Sequence, residues 1–342
     1  MRQTASTSAI RIFRALDLIR RDCMHLLVKA GGGPLLSGRE LRVGLAGALG
    51  VLFIASLAFV LPIWLLALGP IVWGVPHVMA DIRYMVIQPG LHRGRWLAAG
   101  AAVGVIWAGA GGGLWATGWT IMVLATCLGT DLWRSLVMGM AGLALAGLGH
   151  FYPWVSVVVF LHLHNFVAFG IWWHWRRRMT RWHWMTGGLV LTAMTLIVGG
   201  AWDGWSAMEI GVALWPQGFS PEACRQMLAP GLSPLWGDRV VMLFAFAQSL
   251  HYLVWLRLVP EDARRQPTPP SFVSSYRRLV RDFSGLILAG FALAVVGLIL
   301  WASLDLSAAR SQYLHLAAFH GYMELVALTW LFLERRPLCQ HG

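Results

Sequence analysis

The chain has 342 residues, 58% of them hydrophobic and only 12% Asp, Glu, Lys or Arg, about half the charged share of an ordinary soluble domain. This composition excludes a disordered chain and a soluble globular enzyme, and it predicts a polytopic, all-α membrane helix bundle. The formal net charge of +12 sits beside apolar runs rather than on a soluble face, so no nucleic-acid partner is expected.

Residues 1–42 read as a basic cytoplasmic arm. Within it Ile10, Phe13, Leu16 and Ile19 recur at helical spacing among Arg11, Arg14, Arg20 and Arg21. That pattern predicts an amphipathic helix over 9–29 lying on the membrane surface. Apolar runs follow at 43–61, 65–87, 96–115, 117–129, 133–150, 152–175, 182–202, 238–259, 283–303 and 312–333. They form one transmembrane domain over 43–333. The fourth run is short, and 117–150 reads either as two spans or as one broken element. The segment 203–237, with Trp215, Pro216, Pro221, Pro230 and Pro234, predicts an irregular outer cap, and 334–342 a cytoplasmic tail.

Ten spans put nearly every arginine on one side. Arg83, Arg93, Arg95, Arg134, Arg176 to Arg178, Arg181, Arg257, Arg264, Arg265, Arg277, Arg278, Arg281, Arg335 and Arg336 then join the basic arm. Only Arg225, Arg239 and Arg310 remain in opposite loops. The positive-inside rule makes both termini cytoplasmic. The only lysine, Lys29, precedes the first span, which excludes a retinal Schiff base within a helix. Cys23, Cys127, Cys224 and Cys339 contain no CxxC pair, so neither a disulfide nor a structural zinc is expected.

Six histidines fall inside spans: His77, His162, His164, His251, His315 and His320, with Asp81 and Glu324 at similar depth. Ionisable groups in hydrocarbon cost ~2.5–3.5 kcal/mol each, so they face the bundle interior and serve function. His77, His164, His251 and His320 lie 12, 12, 13 and 8 residues from the outer ends of four helices that all run inward. At 1.5 Å per residue they share a level ~12–20 Å below the outer edge. His162 and His164 point in nearly opposite directions, so one of the two faces the centre, and matching depth favours His164. His77 and Asp81 are i and i+4, as are His320 and Glu324; Gln248 and His251 are i and i+3. Neutral imidazole is the commonest ligand of iron, copper and zinc, and a carboxylate often holds the second ring nitrogen. The expected metal set is His77, His164, His251 and His320. His162, Glu324, Asp81, His315 and Gln248 are possible further ligands or supports. Asp81 has a rival role, an ion pair with Arg83. The alternative for the whole group is histidines that hydrogen-bond across helices as packing glue.

The segment Trp73-Gly-Val-Pro-His77-Val-Met-Ala-Asp81 resembles the first histidine motif of the Brp/Blh-type bacterial β-carotene 15,15′-dioxygenases, Gly-x-Pro-His with Asp four residues on. Phe160-Leu-His162-Leu-His164 and Ser249-Leu-His251-Tyr stand where that family has later histidine helices, and His315 to His320 matches its last one loosely. Val78 replaces a usual glycine, and a single His251 stands in place of paired histidines. The resemblance implies a multi-pass protein of the bacterial inner membrane with histidine-ligated non-haem Fe(II), cleaving a carotenoid-like substrate with O2.

Three functions compete on these residues. One is an O2-dependent oxygenase acting on a lipid-soluble small molecule, with membrane lipid as its surroundings. Another is an electron-transfer or quinone-handling subunit with bis-histidine haem b, using His164 with His251 or His77 with His320. The third is a transporter or proton relay running through Asp81, Glu324 and the histidines.

Overall fold

The computed structural model describes residues 7–335 apart from 130, 176–180, 204–215, 217, 265 and 267. Trp215, Arg176 to Arg178, Arg265, Arg336 and Cys339 therefore lie outside the described residues. The described chain is helical throughout, without strands. Eight stretches are long and apolar enough to cross a membrane.

The amphipathic arm is helix α1 (Thr7–Lys29), followed by a single turn, α2 (Gly33–Ser37). Two long helices come next, α3 (Arg39–Val60) and α4 (Pro62–Asp81), the latter running on through wider π-type turns at Ile82–Ile87. The stretch Arg95–Leu128 holds two helices, α5 (Arg95–Trp107) and α6 (Gly113–Leu128). Gly111 and Gly113 between them take φ of 113° and 53°, which residues with a Cβ rarely adopt. The chain folds back there, bringing Trp107 and Trp115 to 4.8 Å between ring centroids and packing Gly104 against Thr120. A second antiparallel turn leads to α7 (Leu132–Phe151), whose Gly142 backs onto Gly118. Small residues here let backbones approach closely. The region 117–150 is thus two antiparallel helices rather than one broken element.

Then come α8 (Pro153–Trp175) and α9 (Arg181–Val198), the latter being the expected seventh run and not among the eight apolar stretches. Among the described residues of the cap is a short helix, α10 (Pro221–Leu228). The central helix is α11 (Pro234–Leu253), which continues through π-type turns at Val254–Leu258 into α12 (Val259–Asp262). A surface helix that the hydropathy pattern misses, α13 (Phe272–Phe283), carries Arg277, Arg278 and Arg281. It docks on α1: Asp17 accepts from the free N–H groups of Phe272 and Val273, and Phe13 packs on Tyr276 at 4.9 Å. The chain ends in α14 (Gly285–Leu304), α15 (Leu306–Ala317) and α16 (Phe319–Leu333). The expected last span therefore bends at Ala318, directly before His320.

The helix α11 is buried along most of its length against α3, α4, α8 and α9, while α14 buries little beyond Leu298 and faces outward. Charged residues at one end of the bundle pair across helices. Arg42 binds Glu261, Arg83 binds Asp282, and Asp131 binds Arg335. At the other end Arg225 binds Asp238 and Arg239 binds Asp203.

Candidate metal centre

Four helices bring the cluster together: α4 supplies His77 and Asp81, α8 supplies His164, α11 supplies His251, and α16 supplies His320 and Glu324. His77, Asp81 and Glu324 are 2%, 0% and 0% exposed. The local backbone explains how they arrive. Pro70 and Pro76 interrupt the hydrogen-bond ladder of α4 and free carbonyls on its site-facing turns. Wider turns begin immediately after Asp81 and shortly after His251, re-aiming the residues around them. Gly321 opens room for His164: a Cβ there would stand 2.9 Å from His164 Nδ1 and 2.9 Å from Phe160 Cζ.

The ring nitrogens can be assigned from their partners. His77 Nδ1 donates to the Trp73 carbonyl at 3.2 Å and His320 Nδ1 to the Ala317 carbonyl at 2.5 Å. Both rings therefore carry a lone pair on Nε2. These two Nε2 atoms face each other at 3.2 Å, and His164 Nε2 lies 3.0 Å from His320 Nε2. His164 Nδ1 lies 3.2 Å from Glu324 Oε2, and neither atom has a hydrogen-bond partner among the described residues. The lone pairs of His77 and His320 face each other and repel unless a cation lies between them. Two nitrogens bound ~2.1 Å from one ion at angles of about 90–109° are about 3.0–3.4 Å apart, which matches these spacings. The His251 ring lies tilted 4.6 Å from that of His164 and edge-on 5.1 Å from that of His77, with neither nitrogen hydrogen-bonded.

Ligand atoms of His77, Asp81, His251 and His320 lie within 4.8 Å of one another, as do those of His164, His251 and Glu324. The two groups overlap at His251. Both oxygens of Asp81 are buried without a hydrogen bond. A divalent cation would offset the charge of any carboxylate that ionises among these imidazoles. The donor set therefore fits a transition metal that takes nitrogen and oxygen ligands.

Several expectations are corrected by this geometry. His162 turns away from the cluster and donates to the Leu228 carbonyl of α10 at 2.8 Å. His315 bonds back to the Ser311 carbonyl at 2.9 Å on an exposed face, because it sits before the bend at Ala318 and more than a quarter-turn from His320. Asp81 does not hold the His77 ring, since the Trp73 carbonyl takes that proton, and it does not pair with Arg83, which binds Asp282 at 2.8 Å. Glu324 stands beside His164 rather than His320, and its other oxygen accepts from Trp255 Nε1 at 2.9 Å. Gln248 donates to the Tyr252 hydroxyl at 2.9 Å, and the Tyr252 ring packs 4.8 Å from that of His77.

Above the cluster lies a cavity of about 230 Å³, floored by His77, His164, His251 and His320 and closed toward the cap by Met227 and Leu228. Arg310, read from sequence as an outer-loop cation, lines this cavity and is only 8% exposed. One sequence signal pointed there: Pro70 has no N–H for the Leu66 carbonyl, and Arg310 Nε supplies the missing donor at 2.7 Å. Tyr313, also missed, lines the same space.

No family model, no curated protein and no solved structure matches this chain.

Proposed function

We propose that this is a membrane-embedded oxygenase, with a histidine-held non-haem iron acting with O2 on a lipid-soluble substrate. The observation that carries the reading is the convergence of three imidazole Nε2 atoms, those of His77 and His164 lying 3.2 and 3.0 Å from that of His320, with the His77 and His320 rings locked by backbone carbonyls so that Nε2 carries a lone pair. The resemblance of residues 73–81 to the carotenoid-cleaving dioxygenases supports iron and a polyene-like substrate. Bis-histidine haem fits less well. A haem would need two ring nitrogens separated by a macrocycle, whereas the Nε2 atoms of His77 and His164 lie 3.2 and 3.0 Å from that of His320.

His77, His164, His251 and His320 would hold the metal, with Asp81 and Glu324 close enough to ligate or neutralise it. When bound, such an iron supplies O2 activation at positions the histidines leave open. The chain does the rest. The Trp73 and Ala317 carbonyls fix two ring orientations, and the Glu324 carboxyl stands 3.2 Å from His164 Nδ1. Phe160 and Phe244 give the cavity apolar walls.

The same reading places ten crossings in a bacterial inner membrane with both termini cytoplasmic. The hairpin at Gly111–Gly113 and the arginine-rich end of the bundle support it. Reporter fusions after Pro62, Phe151 and Ser220 should all report the outer side, and a cytoplasmic signal at Ser220 breaks this topology.

The test of the chemistry uses purified protein in detergent. Metal analysis should return about one iron per chain, the optical spectrum should lack a Soret band, and polyene addition should consume O2. A Soret band, or the absence of any tightly held transition metal, overturns the proposal.

A further inference from the structure

The cavity contains polar groups that a hydrocarbon substrate would leave unanswered. Arg310 is 92% buried by its 8% exposure and donates from Nε to the Leu66 carbonyl at 2.7 Å. Its guanidinium also lies over the Phe219 ring at 5.5 Å. No carboxylate among the described residues lies within ion-pair distance of it. A guanidinium has five N–H donors, so most of this fork remains for a ligand. Tyr313 also lines the cavity, with its hydroxyl turned away from it and packed against Gly74 of α4. Gln248 and Tyr252 form a second polar edge. A buried, uncompensated guanidinium costs several kcal/mol in a low-dielectric setting, and a planar oxyanion is its best partner.

We infer that the cavity recognises an amphiphile with a carboxylate head, held by Arg310, whose hydrocarbon chain crosses the histidine floor. Arg310 precedes His320 by ten positions, so the head is held at most ~15 Å along the helix axis from the ring level. The reacting carbon is then a chain carbon and not the head. The cavity of about 230 Å³ takes the head and a stretch of chain. The remainder leaves sideways between α8 and α15, where Val157, Leu161 and Leu314 line the cavity and are also partly exposed.

This inference rests on the cavity being the substrate site of the proposed oxygenase, but its test does not depend on the metal. cis-Parinaric acid, a fluorescent polyene carboxylate, is titrated into the purified protein in a neutral detergent, with and without chelator treatment, alongside its methyl ester. The unmodified protein should bind the acid about 10–100-fold more tightly than the ester. Arg310→Gln should erase that preference while ester binding and metal content persist. Equal affinity for acid and ester in the unmodified protein overturns the inference, whether or not the Arg310 variant folds. So does an undiminished preference in a folded Arg310→Gln. Displacement of the probe by a lysophosphatidic acid but not by oleate assigns the anion to a lipid phosphate and also overturns it. An acid preference in protein that carries no metal leaves this inference standing and fails the oxygenase alone.

Discussion

Two buried polar clusters in this bundle are built on opposite principles. At the arginine-rich end, Glu261 is 1% exposed and fully answered. Arg42 donates to its Oε1 at 3.2 and 2.9 Å, while Arg257 and Arg264 donate to Oε2 at 2.9 and 2.6 Å. Every charge there has a protein partner, and the cluster staples α3 to α12. In the middle of the bundle, Asp81 has no hydrogen bond, His251 has none at either nitrogen, and the Nε2 lone pairs of His77 and His320 oppose one another. Asp81 is as buried as Glu261, so burial of a carboxylate does not distinguish the two clusters. Satisfaction does: the staple is complete by itself, whereas the histidine cluster keeps unanswered donor and acceptor atoms that the proposed metal would take.

The contrast can be broken most severely at His251. His251→Ala should lose metal by more than the about 10–100-fold typical of a supporting residue, measured by competition with a chromogenic chelator. Stability of the chelated protein should change little by comparison. Unchanged metal content would make the cluster a second staple.

Glu261→Gln tests the other side. Removing the carboxylate leaves three guanidiniums facing one another, and breaking such a buried network costs about 3–5 kcal/mol. Thermal unfolding in detergent should shift down strongly while metal content per folded chain holds. A variant as stable as the parent would show that water, not Glu261, compensates those arginines.

Glu324→Gln sharpens the comparison within the site. It keeps volume and the Trp255 contact but removes the carboxylate 3.2 Å from His164 Nδ1. Metal affinity or activity should fall about 10–100-fold. Full retention of both would make Glu324 a packing residue.

The smallest effect belongs to an exposed pair. Hydrogen bonding from the Arg335 guanidinium holds the Asp131 carboxyl below its ordinary value, helped by the backbone N–H groups of Arg134 and Trp133. A lowered folded value means the contact stabilises at pH above the unfolded value of about 3.9 and is lost as pH falls through the folded one. Solvent screens this pair, so Asp131→Asn should remove a small acid-side slope from the unfolding midpoint and leave neutral-pH stability nearly unchanged. A large loss at pH 7 would mean that the helix cap Asp131 provides to α7, and not the ion pair, dominates.

Much of the molecule was legible in one dimension because lipid imposes a simple code. Hydropathy marks α3, α4, α8, α11 and α14 to within a few residues, since a spanning helix needs ~20 apolar residues wherever it packs. Depth counting placed His77, His164, His251 and His320 at one level because helical rise is constant. The amphipathic spacing of α1 was equally plain. The surface helix α13 was hidden because its low hydropathy resembles a loop. The choice between His162 and His164 depended on the rotation of α8, which is set by the space at Gly321 and the Leu228 carbonyl, residues distant in sequence.

The sequence by itself determined an all-helical membrane protein with ionisable groups at mid-depth, because periodicity and hydrophobicity are local properties. Only the tertiary structure decided which groups meet. It moved Glu324 from His320 to His164 through the bend at Ala318. It gave His77 a backbone partner in place of Asp81. It also drew Arg310 from an apparent loop into the cavity, where Pro70 had left the Leu66 carbonyl without a donor. Each of these is a pairing between helices, and pairings depend on rotation and bend that no single helix encodes.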